Sequence, residues 1–166
     1  GSCALEIMED LPDVGTIVVP VGGGGLVSAI AAACAAVRSS VAVWGVEPEG
    51  ADAMRRSLEA GVAVHLDSMH TLADGLAAPM AGVLNHALVA AYARGVVTVS
   101  DEEIVGAMRL LLERTKLLAE PAGAAGLAAV LAGRIPRAGE APVAVVLSGG
   151  NVDLGTLGGL LSAYGV

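Results

Sequence analysis

Phenylalanine is absent from the 166 residues, and Trp44, Tyr92 and Tyr164 are the only aromatic side chains. That excludes the broad stacking platforms on which single-stranded nucleic acids lie. Positive charge is scarce as well. Nine Lys and Arg stand against 17 Asp and Glu, a net charge of −8, so the surface repels phosphate backbones and anionic lipid. Neither nucleic acid nor a membrane is an expected partner. Long apolar runs are missing despite a 55% hydrophobic composition. The longest, Leu26 to Val37, falls short of the roughly 18 residues of a spanning segment and suits a buried helix. Cysteine is limited to Cys3 and Cys34, with no CxxC pair and no disulfide framework, which fits reduced thiols in the cytoplasm. No basic stretch followed by an apolar one is legible at the opening, so no secretory signal is expected.

What the chain has in quantity is alanine, glycine, valine and leucine, enough for the core of one domain of ordinary size spanning 1–166. Thr16 to Val21 is a β-branched run ending in four glycines, Gly22 to Gly25, and Leu26 to Val37 then carries helical spacing. Val41 to Val46 reads as a second strand closed by Glu47-Pro48, and residues 51–60 as a short helix stopped by Gly61. The unit is βαβ. Its strands are continuously apolar, as strands buried on both faces of a parallel sheet must be. Residues 62–82 are loop-rich, Asn85 to Arg94 is helical and Val96 to Val99 a short strand. Ser100-Asp-Glu-Glu103 is a capping box opening a helix with Ile104, Met108, Leu111 and Leu112 on one face. Pro121 and Gly133 bracket another helix, and Val143 to Leu147 reads as a buried strand running into Ser148-Gly-Gly-Asn151. The expected fold is a three-layer α/β/α arrangement around a mostly parallel sheet, with no internal repeat or linker.

Two glycine-rich turns carry the candidate chemistry. Four glycines between a strand and a helix let backbone wrap an anion while the helix N-terminus supplies unpaired N–H groups and the positive end of its dipole. The bland alternative is a permissive turn. The segment lacks the Lys-Ser/Thr of a nucleotide P-loop and the spacing of GxGxxG, so neither nucleoside triphosphate nor dinucleotide is supported. Ser148-Gly149-Gly150-Asn151 falls at the same carboxyl edge of the sheet, where ligands of parallel sheets bind. A serine hydroxyl there can hydrogen-bond a ring nitrogen and leave a pyridine unprotonated. By itself Ser-Gly-Gly after a strand is a common turn.

Taken in order, Val19-Pro-Val-Gly-Gly-Gly-Gly-Leu26, Gly45-Val-Glu-Pro48, Thr71-Leu-Ala-Asp-Gly75, Lys116-Leu-Leu-Ala-Glu-Pro-Ala-Gly123 and Leu147-Ser-Gly-Gly-Asn151 resemble the second half of threonine dehydratases and serine racemases. These are fold type II (tryptophan synthase β-like) enzymes dependent on pyridoxal 5'-phosphate. The resemblance implies that Gly22, Gly23, Gly24, Gly25 and Leu26 hold the cofactor phosphate and that Ser148 contacts the pyridine nitrogen. It places Asp74, Gly75 and Glu120 along the same crevice. The implied reaction is β-elimination from L-threonine or L-serine to a 2-oxo acid and ammonia, with the cofactor ring as electron sink. Racemisation of serine is the near alternative, and a homo-oligomer is expected.

The covalent partner of that cofactor is a lysine amine, and this sequence has a single lysine, Lys116. Lys116 matches a motif of the family's second half, not its Schiff-base lysine, and is expected to be structural. The family's Ser-Phe-Lys-like segment and the Asn-rich loop after it have no counterpart here. Gly1-Ser-Cys-Ala-Leu-Glu-Ile7 resembles a segment midway through the family's catalytic domain. The expectation is therefore a C-terminal, cofactor-phosphate-binding portion, inactive by itself, that associates with the N-terminal half or a complementary chain. A fragment, one chain of a split enzyme and a short inactive relative remain open, as do a non-catalytic phosphate-binding module and an assembly subunit.

The resemblance also points to Glu47 and Ala51 as oxygen ligands for Mg²⁺ or Ca²⁺. The pattern breaks because Ala53 stands where a second carboxylate is expected; otherwise Glu47 is a strand-end carboxylate. His65, His70 and His86 match no zinc spacing and are expected on the surface. Asp101-Glu102-Glu103 occupies a helix first turn, where the dipole alone explains it.

Overall fold

The computed structural model describes residues 1–38, 40–136 and 139–164. Among them four strands, β1 (Thr16–Pro20), β2 (Ala42–Pro48), β3 (Gly95–Val99) and β4 (Val143–Val145), form an all-parallel sheet in the order β3-β2-β1-β4. Seven α-helices accompany them: α1 (Ser2–Asp10), α2 (Gly25–Val37), α3 (Ala53–Ala60), α4 (Val83–Tyr92), α5 (Asp101–Leu110), α6 (Pro121–Leu131) and α7 (Leu154–Ala163).

Strand alternation sorts the apolar residues into two cores. Ile17, Val19 and Val43 pack with Ile30, Ala31 and Cys34 of α2, Met8 of α1 and Val89 of α4. Val18, Val46 and Val99 point the other way, to Ile104 and Met108 of α5 and the alanines of α6. This is the expected α/β/α layering. Each fully buried Val or Ile contributes about 1.5–3 kcal/mol through area removed from water, so the many small residues here are offset by covering both sheet faces.

Local chemistry sets most boundaries. Ser100 accepts from the Glu103 N–H at 3.1 Å while Glu103 accepts from the Ser100 N–H at 2.8 Å, closing the capping box at α5. Ile104, Met108 and Leu111 are buried and Leu112 partly so. Past its end α5 widens into one π-helical turn, Leu111–Thr115, stopped by Lys116 at φ 63°. Pro121 opens α6, and Gly133 lies just beyond it at φ 68°.

Some expectations need correction. The helix expected at 51–60 begins at Ala53, because the Ala51 N–H turns back to the Pro48 carbonyl and Asp52 becomes the N-cap. The one expected over Asn85–Arg94 ends at Tyr92, since Arg94 donates its N–H to Val43 O at the sheet edge. Val143–Leu147 is not a buried strand: β4 stops at Val145 and is only half-buried, because it pairs with β1 on one side and has no neighbour on the other among the described residues. His86 is half-buried rather than on the surface, its Nε2 lying 3.1 Å from Ser57 O; His65 and His70 are exposed.

Strand order fixes where a ligand belongs. From β1 the chain passes through α2 to β2 on one side, and it returns through α6 to β4 on the other. The order in which strands are added therefore reverses between the parallel neighbours β1 and β4, and the crevice outside their carboxyl ends is the binding position of such a fold.

Candidate functional site

At the end of β1 the Val21 N–H donates to Val46 O at 2.8 Å, and the chain then turns through Gly22, Gly23 and Gly24 into α2. Gly24 sits at φ 90° as the N-cap of α2. Only glycine adopts that angle without strain, and a Cβ there would collide with Met54 Cε and lie 3.1 Å from Asn85 Cβ. A Cβ on Gly22 would stand 3.3 Å from Gly75 O, whereas on Gly23 or Gly25 it would meet nothing within 4 Å. Open space thus lies over Gly23 and Gly25. No side chain caps α2, and the Gly22, Gly23 and Gly24 N–H groups have no acceptor among the described residues. Leu26 is partly exposed in the first turn of α2.

Across the crevice, Ser148 follows β4 with its side chain exposed, and its hydroxyl has no hydrogen-bond partner among the described residues. Its turn is held by Glu120. The Glu120 N–H donates to Gly149 O at 3.1 Å, and Glu120 Oε2 accepts from the Asn151 N–H at 2.9 Å. Three glycines let the two segments interlock: a Cβ on Gly149 would strike Glu120 Oε1, one on Gly150 would lie 2.6 Å from Leu118 O, and one on Gly123 would strike Gly149 O. The carboxylate at the N-cap of α6 therefore serves the neighbouring turn and not its own helix, in which it makes no cap bond.

Asp74 and Gly75 complete the wall between these turns. Their segment is anchored by Asp101, which accepts from Thr71 Oγ1 at 2.6 Å and from the Leu72 N–H at 3.1 Å. Asp101 is thus more than a first-turn carboxylate, and Glu103 likewise pairs with Arg134 at 2.6 Å. Gly75 reaches Gly22 on one side and, on the other, its Cβ position lies 3.8 Å from Glu120 Oε1. Asp74, Glu120 and Asn151 line a cavity of about 260 Å³ that extends toward Val152 and Leu160 and is not lined by Gly22–Gly25 or Ser148. The structure therefore brings together Gly22–Gly25, Gly75, Glu120 and the Ser148 turn.

Residues 1–149 match the family model described as Pyridoxal-phosphate dependent enzyme. The chain belongs to that family. Among curated relatives, an L-threonine ammonia-lyase from Thermotoga maritima is 47% identical over 154 residues, 93% of this chain and 38% of the relative. A serine racemase from Oryza sativa subsp. indica is 39% identical over 161 residues, 95% of this chain and 47% of the relative. The structure of maize serine racemase superposes with a TM-score of 0.88 at 39% identity, covering 98% of this chain and 50% of that one. The chain thus spans half the length, or less, of these relatives, and its fold is the fold type II arrangement.

The glycine turn fits the phosphate of the family's cofactor. Uncapped N–H donors at a helix start, with open space above them, are what a phosphate dianion needs. The oxygen-ligand site expected for Mg²⁺ or Ca²⁺ fares differently. Glu47 is fully buried, and each of its oxygens accepts from a backbone N–H of α3: Oε1 from Met54 at 2.7 Å and Oε2 from Arg55 at 2.9 Å. It is a cap for α3 rather than a free strand-end carboxylate. Asp52 is bound to Arg55 and Arg56. No three His, Cys, Asp or Glu side chains among the described residues are grouped to hold a metal. Glu47 and Ala51 therefore do not fit a metal site. Burial pushes the Glu47 carboxyl up to about 7 against the pull of its two N–H donors, with Asp52 adding to the rise and Arg55 opposing it.

Lys116 is exposed, and its Nζ donates to Glu113 O at 2.7 Å. Cys3 and Cys34 are both free. No described helix is long and apolar enough to cross a membrane. Two residues at the cup were not legible in advance. Met54 packs beneath Gly24, and Asn85 donates from Nδ2 to Gly23 O at 2.8 Å. Neither carries a motif; both arrive through tertiary packing of α3 and α4 on α2.

Proposed function

We propose that this chain is the cofactor-phosphate portion of an ammonia-lyase acting on L-threonine or L-serine. The observation that carries the reading is the uncapped glycine start of α2 facing the Ser148 turn across the sheet's switch point. The N–H groups of Gly22 to Gly25 and Leu26 bind the phosphate, and the helix dipole adds to the attraction. Ser148 hydrogen-bonds the ring nitrogen as a neutral partner, and Asp74, Gly75 and Glu120 wall the crevice. Bound there, pyridoxal phosphate supplies an electron sink that lets an α-proton and a β-hydroxyl leave an amino acid. The chain's own part is to bind and orient.

The covalent lysine has no counterpart here, because Lys116 is committed to the surface turn that ends the π-helical segment. Turnover therefore requires a lysine-bearing N-terminal half or complementary chain, and the 166 residues alone are inactive. Serine racemisation is the second reading, favoured by the 39% identity to a serine racemase; the groups on the opposite side of the ring decide between them. The test titrates pyridoxal phosphate into the chain while following its ³¹P resonance and assays 2-oxobutyrate from L-threonine. A shifted resonance without product is expected. An unmoved resonance overturns the phosphate reading, and product from the chain alone overturns its incompleteness.

A further inference from the structure

The geometry points to Asn85 as the positioning residue of the phosphate cup, an inference that rests on the cup holding the cofactor phosphate. Gly23 O accepts two hydrogen bonds from the α4 side, from Asn85 Nδ2 at 2.8 Å and from the Gly82 N–H at 3.1 Å. The peptide joining Gly23 to Gly24 is trans, so its N–H points opposite to its carbonyl. Pulling the Gly23 carbonyl toward α4 therefore aims the Gly24 N–H away from α4, where no acceptor among the described residues meets it. A glycine run left to itself samples many conformations, including ones that turn a carbonyl toward the anion. Asn85 removes that choice.

The amide is itself fixed. Asn85 Oδ1 faces the buried Ser28 hydroxyl at 3.3 Å, a group that also reaches Gly25 O at 3.1 Å. Gly82 is needed for the reach, since a Cβ there would lie 2.7 Å from Asn85 Nδ2. Asn85 Cβ and Met54 Cε then pack against the Gly24 backbone and hold its left-handed turn.

The test uses the ¹⁵N-labelled chain titrated with pyridoxal phosphate. In the native chain the Gly24 amide resonance moves downfield together with its glycine neighbours. In Asn85→Ala the Gly24 shift collapses and the dissociation constant rises roughly tenfold to a hundredfold, the loss of one hydrogen bond to a charged acceptor. Asn85→Leu keeps the side-chain volume and carries the same test should the alanine variant not fold. An unchanged Gly24 shift and affinity in either variant overturns the role of Asn85 while leaving the cup intact. If no amide from Gly22 to Leu26 responds in the native chain, the phosphate reading itself falls and this inference with it.

Discussion

Glu47 shows how far one side chain's role departs from its sequence context. A carboxylate at a strand end before proline suggests an exposed anion, yet it is 0% exposed and caps α3 from another element. Burial holds more protons on the folded chain than on the unfolded one, whose glutamate titrates near 4.5. Folding stability contributed by this group is therefore greatest below pH 4.5 and is lost as pH rises toward 7, beyond which the difference is constant. The rise from 4.5 to about 7 corresponds to roughly 3 kcal/mol. Glu47→Gln, which cannot ionise, is expected to flatten the dependence of denaturant midpoint on pH between 5 and 7.5 relative to the native chain. Parallel profiles for the two proteins would show that Glu47 is not the titrating group. The cap was illegible in the sequence because its donors, Met54 and Arg55, are fixed only when α3 docks on β2.

Elements were legible in proportion to how local their causes are. The capping box at α5, Pro121 at α6 and the glycine start of α2 each act within a few residues, and each stands where the sequence put it. For β4, the apolar composition cannot report that one edge has no partner among the described residues. The Ser148 turn was legible as a motif, but its support was not: the resemblance placed Glu120 along the crevice without a role, and the residue clamps Gly149 and Asn151. Glu120→Ala is expected to speed hydrogen exchange at the Asn151 amide about tenfold and to cost roughly 1 kcal/mol in denaturant unfolding. Glu120→Gln, whose carbonyl oxygen can still accept, restores both. Equal exchange in all three proteins would mean the turn holds itself.

At the scale of the whole molecule, the chain matches about half the length of its relatives. Leu117, Leu118, Leu147 and Leu154 are exposed around the Ser148 turn, Leu154 to 77%, and β4 leaves a sheet edge unpaired among the described residues. Surfaces of that kind are where another piece of protein docks, which supports the proposal that a catalytic lysine is supplied from elsewhere. The single lysine makes this testable. If phosphate binding belongs to the glycine cup, Lys116→Ala keeps the ³¹P shift and affinity for pyridoxal phosphate within about twofold, because Lys116 lies on a surface turn and bonds Glu113 O. Borohydride, which reduces the C=N bond formed when an amine condenses with the aldehyde of pyridoxal phosphate, then traps the cofactor on Lys116 no faster than on a free amine of the same exposure, as measured by mass spectrometry. A variant that no longer binds, or selective labelling of Lys116, would make this lysine the cofactor's anchor and the chain a complete site.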